Sequence, residues 1–345
     1  MLYANKRIKQ QGNQNNNKSL LLYKVNSEIK TSEQAIHALN FPDMITFMAD
    51  IVFLNGDWVE KNEAKVSVFD RGFLFADGVY EVIPVVNSTT IDFKAFIERL
   101  SYSLDQLSLP SSISSLNSLG ICLESQFSNL TKTLIKLDNI IEGGIYLQIT
   151  RGVSPRDFAF PQNIEPTIMA FGFNKEIINS SLVTSGIKVI TTEDIRWKRR
   201  DIKSIALLGQ CMAKQKAVEQ GAFETWMVED GFVTEGSSSS AYIVKDNVII
   251  TRPLSNSILS GIRRKTILEM AKKNQLTVEQ RLFTVDEALE ADEAFISSAT
   301  TFVLPVTTIN NTRIKDGKVG TITQQVRDLY MQNALNNIQG HKEGN

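Results

Sequence analysis

Three turn dipeptides constrain this chain more than any other feature of its sequence. Asp230-Gly231 divides the strand-like segment Thr225–Val233, Asp246-Asn247 divides Tyr242–Ile250, and Asn55-Gly56 separates Ile51–Leu54 from Trp58-Val59. Each dipeptide accepts the left-handed backbone that joins two antiparallel strands. Helical spacing interrupts these hairpins. Phe93, Phe96, Ile97, Leu100, Leu104 and Leu107 recur at intervals of three and four, which predicts an amphipathic helix over 92–107. Helices are also expected over 119–137, 204–220, 261–273 and 321–336, with Ile205, Leu208 and Met212 sharing one face of the second of these. Strands are expected at 145–150, 167–173, 187–191 and 294–298. Hairpins mixed with helices predict an α+β, or mixed α/β, fold rather than a strict parallel repeat.

At 345 residues the chain is long for one hydrophobic core, so two domains are expected. The polar stretch 174–181 marks the division: a smaller domain at 49–174, a linker at 175–180 and a larger domain at 181–336. Residues 1–48, with the run Gly12-Asn13-Gln14-Asn15-Asn16-Asn17, read as a flexible extension or as sequence upstream of a start at Met44 or Met48. Residues 337–345 read as a tail. Lys and Arg (37) balance Asp and Glu (38), so no net field draws in nucleic acid or an anionic membrane. Apolar runs such as Ile51–Leu54 are too short to span a bilayer. Two cysteines, Cys122 and Cys211, are too few for a disulfide framework and point to a reducing, cytoplasmic setting.

Histidine narrows the chemistry. There are two, His37 in the polar N-terminal segment and His341 near the other end. That disfavours a Ser-His-Asp hydrolase, a Cys-His protease and a His-ligated metal site. Proton and nucleophile work then falls to Lys, Asp, Glu, Tyr or a cofactor.

Lys203, in Asp201-Ile202-Lys203-Ser204-Ile205, lies between a basic stretch and an apolar helix. Partial desolvation and the neighbouring Lys198, Arg199 and Arg200 would free its amine as a nucleophile; the bland reading is a solvated lysine. Glu235 heads a Gly/Ser cluster, Gly236 to Ser240, that is either a ligand cradle or a solvated turn. Gly261-Ile262-Arg263 opens a helix whose free N–H groups form a possible phosphate site. Asp70 to Glu81 reads as a buried loop carrying Tyr80, and Arg156 follows a strand end in a Pro-stiffened loop, where it could bind a carboxylate.

These segments, in this order, resemble the fold-type IV pyridoxal-phosphate enzymes, and most closely the D-amino-acid aminotransferases. The likeness is carried by DRGFLFADGVYEV (70–82), YLQITRGVSPRDFAFP (146–161), EDIRWKRRDIKSIALLGQCMAKQ (193–215), FVTEGSSSS (232–240) and ILSGIRR (258–264). It implies two domains, the larger with a barrel-like sheet, and a homodimer. Lys203 aligns with the lysine that holds pyridoxal 5′-phosphate as a Schiff base, and Glu235 with the carboxylate facing the pyridine nitrogen. Arg99 aligns with the phosphate-binding arginine, with Ile262, Arg263, Ser298, Ala299 and Thr300 nearby. Tyr80 and Arg156 align with groups that hold the substrate carboxylate. No metal is implied.

Two positions depart from the pattern. Phe158 stands where these aminotransferases carry a histidine two residues after the SPR arginine, and the usual GITR reads Gly261-Ile262-Arg263-Arg264. The reaction implied moves an amino group from a D-amino acid such as D-alanine to a 2-oxo acid such as 2-oxoglutarate. The alternatives within the fold are a branched-chain L-amino-acid aminotransferase and an aminodeoxychorismate lyase; Arg156 in its SPR context favours the first reading. A non-catalytic binder of the same fold would need neither Lys203 nor Glu235.

Overall fold

The computed structural model describes residues 51–109 and 123–343; the expected extension, with His37, and Cys122 lie outside them. The first part of the chain forms a six-stranded sheet. Its strands are β1 (Ile51–Leu54), β2 (Asp57–Glu60), β3 (Gly78–Val86), β4 (Thr89–Thr90), β5 (Glu142–Thr150) and β6 (Thr167–Asn174). They lie in the order β2-β1-β6-β5-β3-β4, every neighbouring pair antiparallel. Three helices accompany it: α1 (Arg71–Phe75), α2 (Phe93–Gln106) and α3 (Leu123–Leu137). The expected apolar stripe of α2 is the buried one, with Phe96, Leu100 and Leu104 packed on Val79, Ile83 and Ile149 of the sheet.

Residues 70–81 are not a loop. Asp70 accepts the Gly72 N–H at 2.8 Å and caps α1, Ala76 ends that helix in the left-handed region, and β3 starts at once at Gly78. A single turn of helix is too short to show a periodicity. Gly78 is needed there, because a Cβ would stand 2.6 Å from the Ile149 carbonyl oxygen of the paired strand.

The second part of the chain forms a nine-stranded mixed sheet. It comprises β7 (Ile187–Glu193), β8 (Glu224–Glu229), β9 (Phe232–Gly236), β10 (Ser240–Lys245), β11 (Val248–Thr251), β12 (Thr277–Gln280), β13 (Glu293–Ser298), β14 (Phe302–Ile309) and β15 (Thr312–Arg313). The path β12-β11-β10-β13-β14-β7-β8-β9, with β15 on β14, curls so that β9 returns against β10. The pairs β11–β12, β7–β14 and β7–β8 are parallel and the rest antiparallel. Helices α4 (Leu182–Ser185), α5 (Leu208–Glu219), α6 (Ile262–Lys273), α7 (Val285–Leu289) and α8 (Thr321–Glu343) belong to this part. Two apolar clusters surround the sheet, one centred on Trp226 and Phe283, the other on Tyr242, Phe295 and Tyr330. The turns expected at 230–231 and 246–247 are both present. Strand β14 escaped the sequence pattern because Pro305 interrupts it and both its faces are apolar.

Helix α5 differs from expectation. It starts at Leu208, and Leu208 and Met212 are 74% and 48% exposed; the small Ala213 and Ala217 make its buried face. The larger apolar side chains therefore point away from the core, and the periodicity is that of a surface.

The segment between the two sheets is gripped from both sides. Glu142, on β5, accepts the N–H groups of Ile177 and Ile178. Arg327, on α8, donates to the carbonyls of the same two residues at 3.1 and 2.9 Å and to Val303 at 2.6 Å.

Candidate active site

One pocket, between the two sheets, gathers most of the residues singled out from the sequence: Tyr80, Arg99, Lys203 and Glu235, then Ile262, Arg263 and the turn Ser298-Ala299-Thr300. Arg156 is not among its lining residues.

Lys203 is fixed by backbone pairing across the cleft. The Tyr80 N–H donates to the Lys203 carbonyl and the Ile205 N–H to the Gly78 carbonyl, both at 3.0 Å, so the segment 203–205 runs as an extra rung beside β3. Ile202 is buried in the six-stranded sheet's core, and the Lys203 N–H reaches Ser103 on α2. The amine thus stands 4.1 Å from the centre of the Tyr80 ring, which itself stacks on Tyr146. Two of its three expected cationic neighbours are spoken for: Arg199 binds Asp201, and Arg200 binds Glu229.

Glu235 lies buried at the end of β9. Arg196 donates to its Oε1 at 2.6 Å, and the Leu259 N–H reaches both oxygens at 3.1 and 3.2 Å. Burial pushes this carboxyl above the usual range, while the Arg196 guanidinium and the Leu259 N–H pull against that shift. Arg196 is itself clamped by Asp194 through two further bonds of 2.9 and 2.6 Å. A buried charge pair survives when further hydrogen bonds support it, and here Asp194 and the Leu259 N–H supply them.

The third part of the pocket is an anion cradle. Arg99, on α2, forks onto both oxygens of the buried Glu81 at 2.7 and 2.6 Å and keeps further N–H groups for a ligand. Gly261 caps α6 without a side-chain hydrogen bond, so the first N–H groups of that helix, at Ile262 and Arg263, are open to an anion. Arg263 Nη1 is buried without a hydrogen bond among the described residues, although Asp92 Oδ2 lies 3.3 Å away at poor angle. An amine, a buried carboxylate and a cradle of cations and helix N–H groups in one pocket fit the chemistry of pyridoxal phosphate, which carries an aldehyde, a ring nitrogen and a phosphate.

Arg156 sits elsewhere, on an exposed aromatic loop. Its guanidinium lies 5.5 and 5.4 Å from the Phe75 and Phe158 rings, and Phe158 is 77% exposed rather than packed in a core. Beneath the loop, Arg71 and Arg151 share the buried Asp77 at 2.7 and 2.8 Å, and Arg71 also donates to the Asp157 carbonyl at 2.6 Å. This scaffold, like Asp194, Arg196 and Glu224, was not singled out from the sequence. The available signal was charge inside an apolar run: Arg71 and Asp77 flank Phe73-Leu74-Phe75, and a charge so placed must be either exposed or paired.

Comparison with known proteins places these features in context. The family description "Amino-transferase class IV" matches residues 78–309. A D-alanine aminotransferase of Staphylococcus epidermidis is 41% identical over 280 residues, 81% of this chain and 96% of that protein. Another, of Bacillus licheniformis, is 39% identical over 289 residues, 82% and 96% of the two chains. Among solved structures, a branched-chain amino acid aminotransferase of Escherichia coli superposes with a TM-score of 0.74 at 20% identity, covering 82% of this chain and 94% of that one.

Proposed function

The chain belongs to the class IV aminotransferases, and from that premise we propose that it is a pyridoxal-phosphate-dependent transaminase moving an amino group from a D-amino acid, such as D-alanine, to a 2-oxo acid, such as 2-oxoglutarate. The observation that carries the reading is the convergence of Lys203, Glu235 and the anion cradle on one pocket. When bound, the cofactor supplies an aldehyde for an amine and a ring that accepts electrons released at the substrate Cα. The chain's residues supply the rest. Lys203 offers its amine and carries the proton to and from Cα. Glu235 holds a proton at the ring nitrogen. Arg99, the N–H groups of Ile262 and Arg263, and the turn Ser298-Ala299-Thr300 bind the phosphate and so fix the ring against Lys203.

The substrate carboxylate needs a cation. Tyr80 lines the pocket, and Arg156 does not line its own chain's pocket. Arg156 does stand among exposed apolar side chains, Phe69, Phe73, Phe158 and Phe160, each more than half exposed, and Leu208 and Trp197 add to the uncovered apolar surface. Surface of that kind favours coverage by a second copy. We therefore read the enzyme as a homodimer in which the loop with Arg156 completes the neighbouring copy's pocket beside Tyr80. Among the described residues no helix is long and apolar enough to cross a membrane, and we propose a cytoplasmic enzyme.

The test is direct. Purified protein with pyridoxal phosphate and 2-oxoglutarate should turn over D-alanine, and borohydride should fix the cofactor to the peptide containing Lys203. Turnover of branched-chain L-amino acids alone would replace this reading with the L-specific one.

A further inference from the structure

Arg71 opens helix α1, is 2% exposed and has no part in the chemistry above. Its guanidinium faces several ways at once. Nε donates to Asp77 at 2.7 Å, Nη1 to the Asp157 carbonyl at 2.6 Å and Nη2 to the Phe158 carbonyl at 3.4 Å. It also lies 4.8 Å from the centre of the Phe75 ring, one turn along the same helix. All but the first of these contacts end beside Arg156. Asp157 is its chain neighbour, and Phe75 and Phe158 are the two rings next to its guanidinium, 5.6 Å apart from each other.

Little else holds that loop. Residues 155–160 are exposed and form no helix or strand. Among the described residues, positions 156–160 receive hydrogen bonds from outside the loop through Arg71 alone. Arg151 adds a ring contact, 3.7 Å from the centre of Phe160, but its hydrogen bonds go to Asp77, Leu107 and Ser108. Arg156 itself touches the two rings and makes no hydrogen bond or ion pair among the described residues. A long side chain loses rotamer freedom when it takes a ligand, and a loop fixed beforehand lowers that cost.

We propose that Arg71 is a positioning residue for the substrate carboxylate. By holding the two carbonyls that follow Arg156 and the Phe75 ring beside it, Arg71 fixes the place from which Arg156 enters the neighbouring copy's pocket. This rests on the reading of Arg156 as that pocket's carboxylate clamp. Aim and stability can be separated here. Asp77 is bound by Arg151 through both oxygens, at 2.8 and 3.0 Å, so its charge stays paired when Arg71 is replaced. The freed carbonyls belong to an exposed loop and turn to water.

The test is a double-mutant cycle on the holoenzyme, with D-alanine and 2-oxoglutarate as substrates. Arg71→Gln should lower kcat/KM for both by about tenfold, the scale of one hydrogen bond to a charged group, and through KM while kcat stays within about twofold. Made in Arg156→Ala, the same substitution should lower kcat/KM by less than about twofold further, because nothing remains to be aimed. Losses of about tenfold in both backgrounds would make Arg71 a merely structural residue and overturn the proposal, as would an unchanged KM in Arg71→Gln. Arg71→Lys keeps a cation for Asp77 but cannot fork onto both carbonyls, so it carries the same cycle with the same expected result and decides the matter should Arg71→Gln fail to fold. The clamp itself is read separately: an unchanged KM in Arg156→Ala alone would remove that part of the proposed function, and this assignment with it.

Discussion

Arg196 Nη1 donates to Glu235 Oε1 at 2.6 Å, which leaves Oε2 with the Leu259 N–H as its sole donor among the described residues. One oxygen of the carboxylate is committed to the protein and the other keeps lone pairs for a ligand nitrogen. Glu235→Gln retains an oxygen for Arg196 and removes the charge. Turnover should drop about a hundredfold, the scale of a lost proton-holding group, with the melting temperature nearly unchanged. Glu235→Lys should behave differently, because it sets a second buried cation beside Arg196 and should cost folding itself. Steady-state kinetics and thermal melts on the two variants check both outcomes.

Lys203→Ala should abolish transamination while leaving the fold intact, since only the backbone of this residue is stitched to β3 and to Ser103. The variant should melt close to wild type and give no cofactor-labelled peptide after borohydride treatment.

Arg156→Ala should raise KM for amino donor and oxo acid alike, because both present a carboxylate to the same clamp. Its combination with Lys203→Ala tests the dimer. At substrate well below the raised KM each variant alone should be nearly inactive, yet unfolded and refolded together they should recover about a quarter of wild-type activity, since half the dimers are mixed and each holds one intact site. No recovery in refolded mixtures would place Arg156 outside the neighbouring pocket.

Acid should destabilise the protein through its buried ion pairs. Burial pushes Asp194 up, but Arg196, Thr234 and Arg200 outweigh it and hold its carboxyl below the usual range; the hydrogen bond from Arg200 does the same for Glu229. A carboxyl held low in the folded state binds its proton more tightly when unfolded. Its stabilisation is therefore complete above the ordinary carboxylate range and is lost as pH falls through and below about 4. Glu235 works in the opposite sense, being raised by burial, so its share favours the fold at low pH and fades as pH rises. Calorimetry should show a melting temperature that falls below about pH 4, and Asp194→Asn should flatten that fall at the expense of stability near neutrality.

Arg327→Met should be among the most damaging substitutions outside the pocket. It strips the donors from the carbonyls of Ile177, Ile178 and Val303, and leaving such buried acceptors unsatisfied costs about 1–3 kcal/mol each. Denaturant midpoints should show a loss of about 3 kcal/mol or more, partly recovered in Arg327→Lys.

Much of this was legible in the sequence, and what was not had a physical reason. The hairpins at 230–231 and 246–247 and helix α2 follow from local rules, and the structure has them where those rules put them. The lysine, the carboxylate and the cradle could be named because their segments resemble a family, whereas composition or spacing alone left each as an ordinary surface group. What local rules miss is long-range pairing. Asp77 serves two arginines, one of them 74 positions away, and Glu224 serves serines 13 to 15 positions on. Helix α5 misled for another reason: an apolar face predicts that something covers it, and does not say whether the cover is the chain's own core.

The grip of Glu142 and Arg327 on Ile177 and Ile178 bears on how the enzyme chooses what it accepts. Peptide groups tied on both edges make a poor pivot, which favours a fixed seating of the two halves, more a cast mould than a jaw. A mould does not tighten around its guest. On the proposed dimer, discrimination between one amino acid and another would then rest with the rim, where Trp197 stands exposed at the pocket and the neighbouring copy's 155–160 loop would reach in, and change of diet in such an enzyme would be written there while the floor with Lys203 and Glu235 stays as it is.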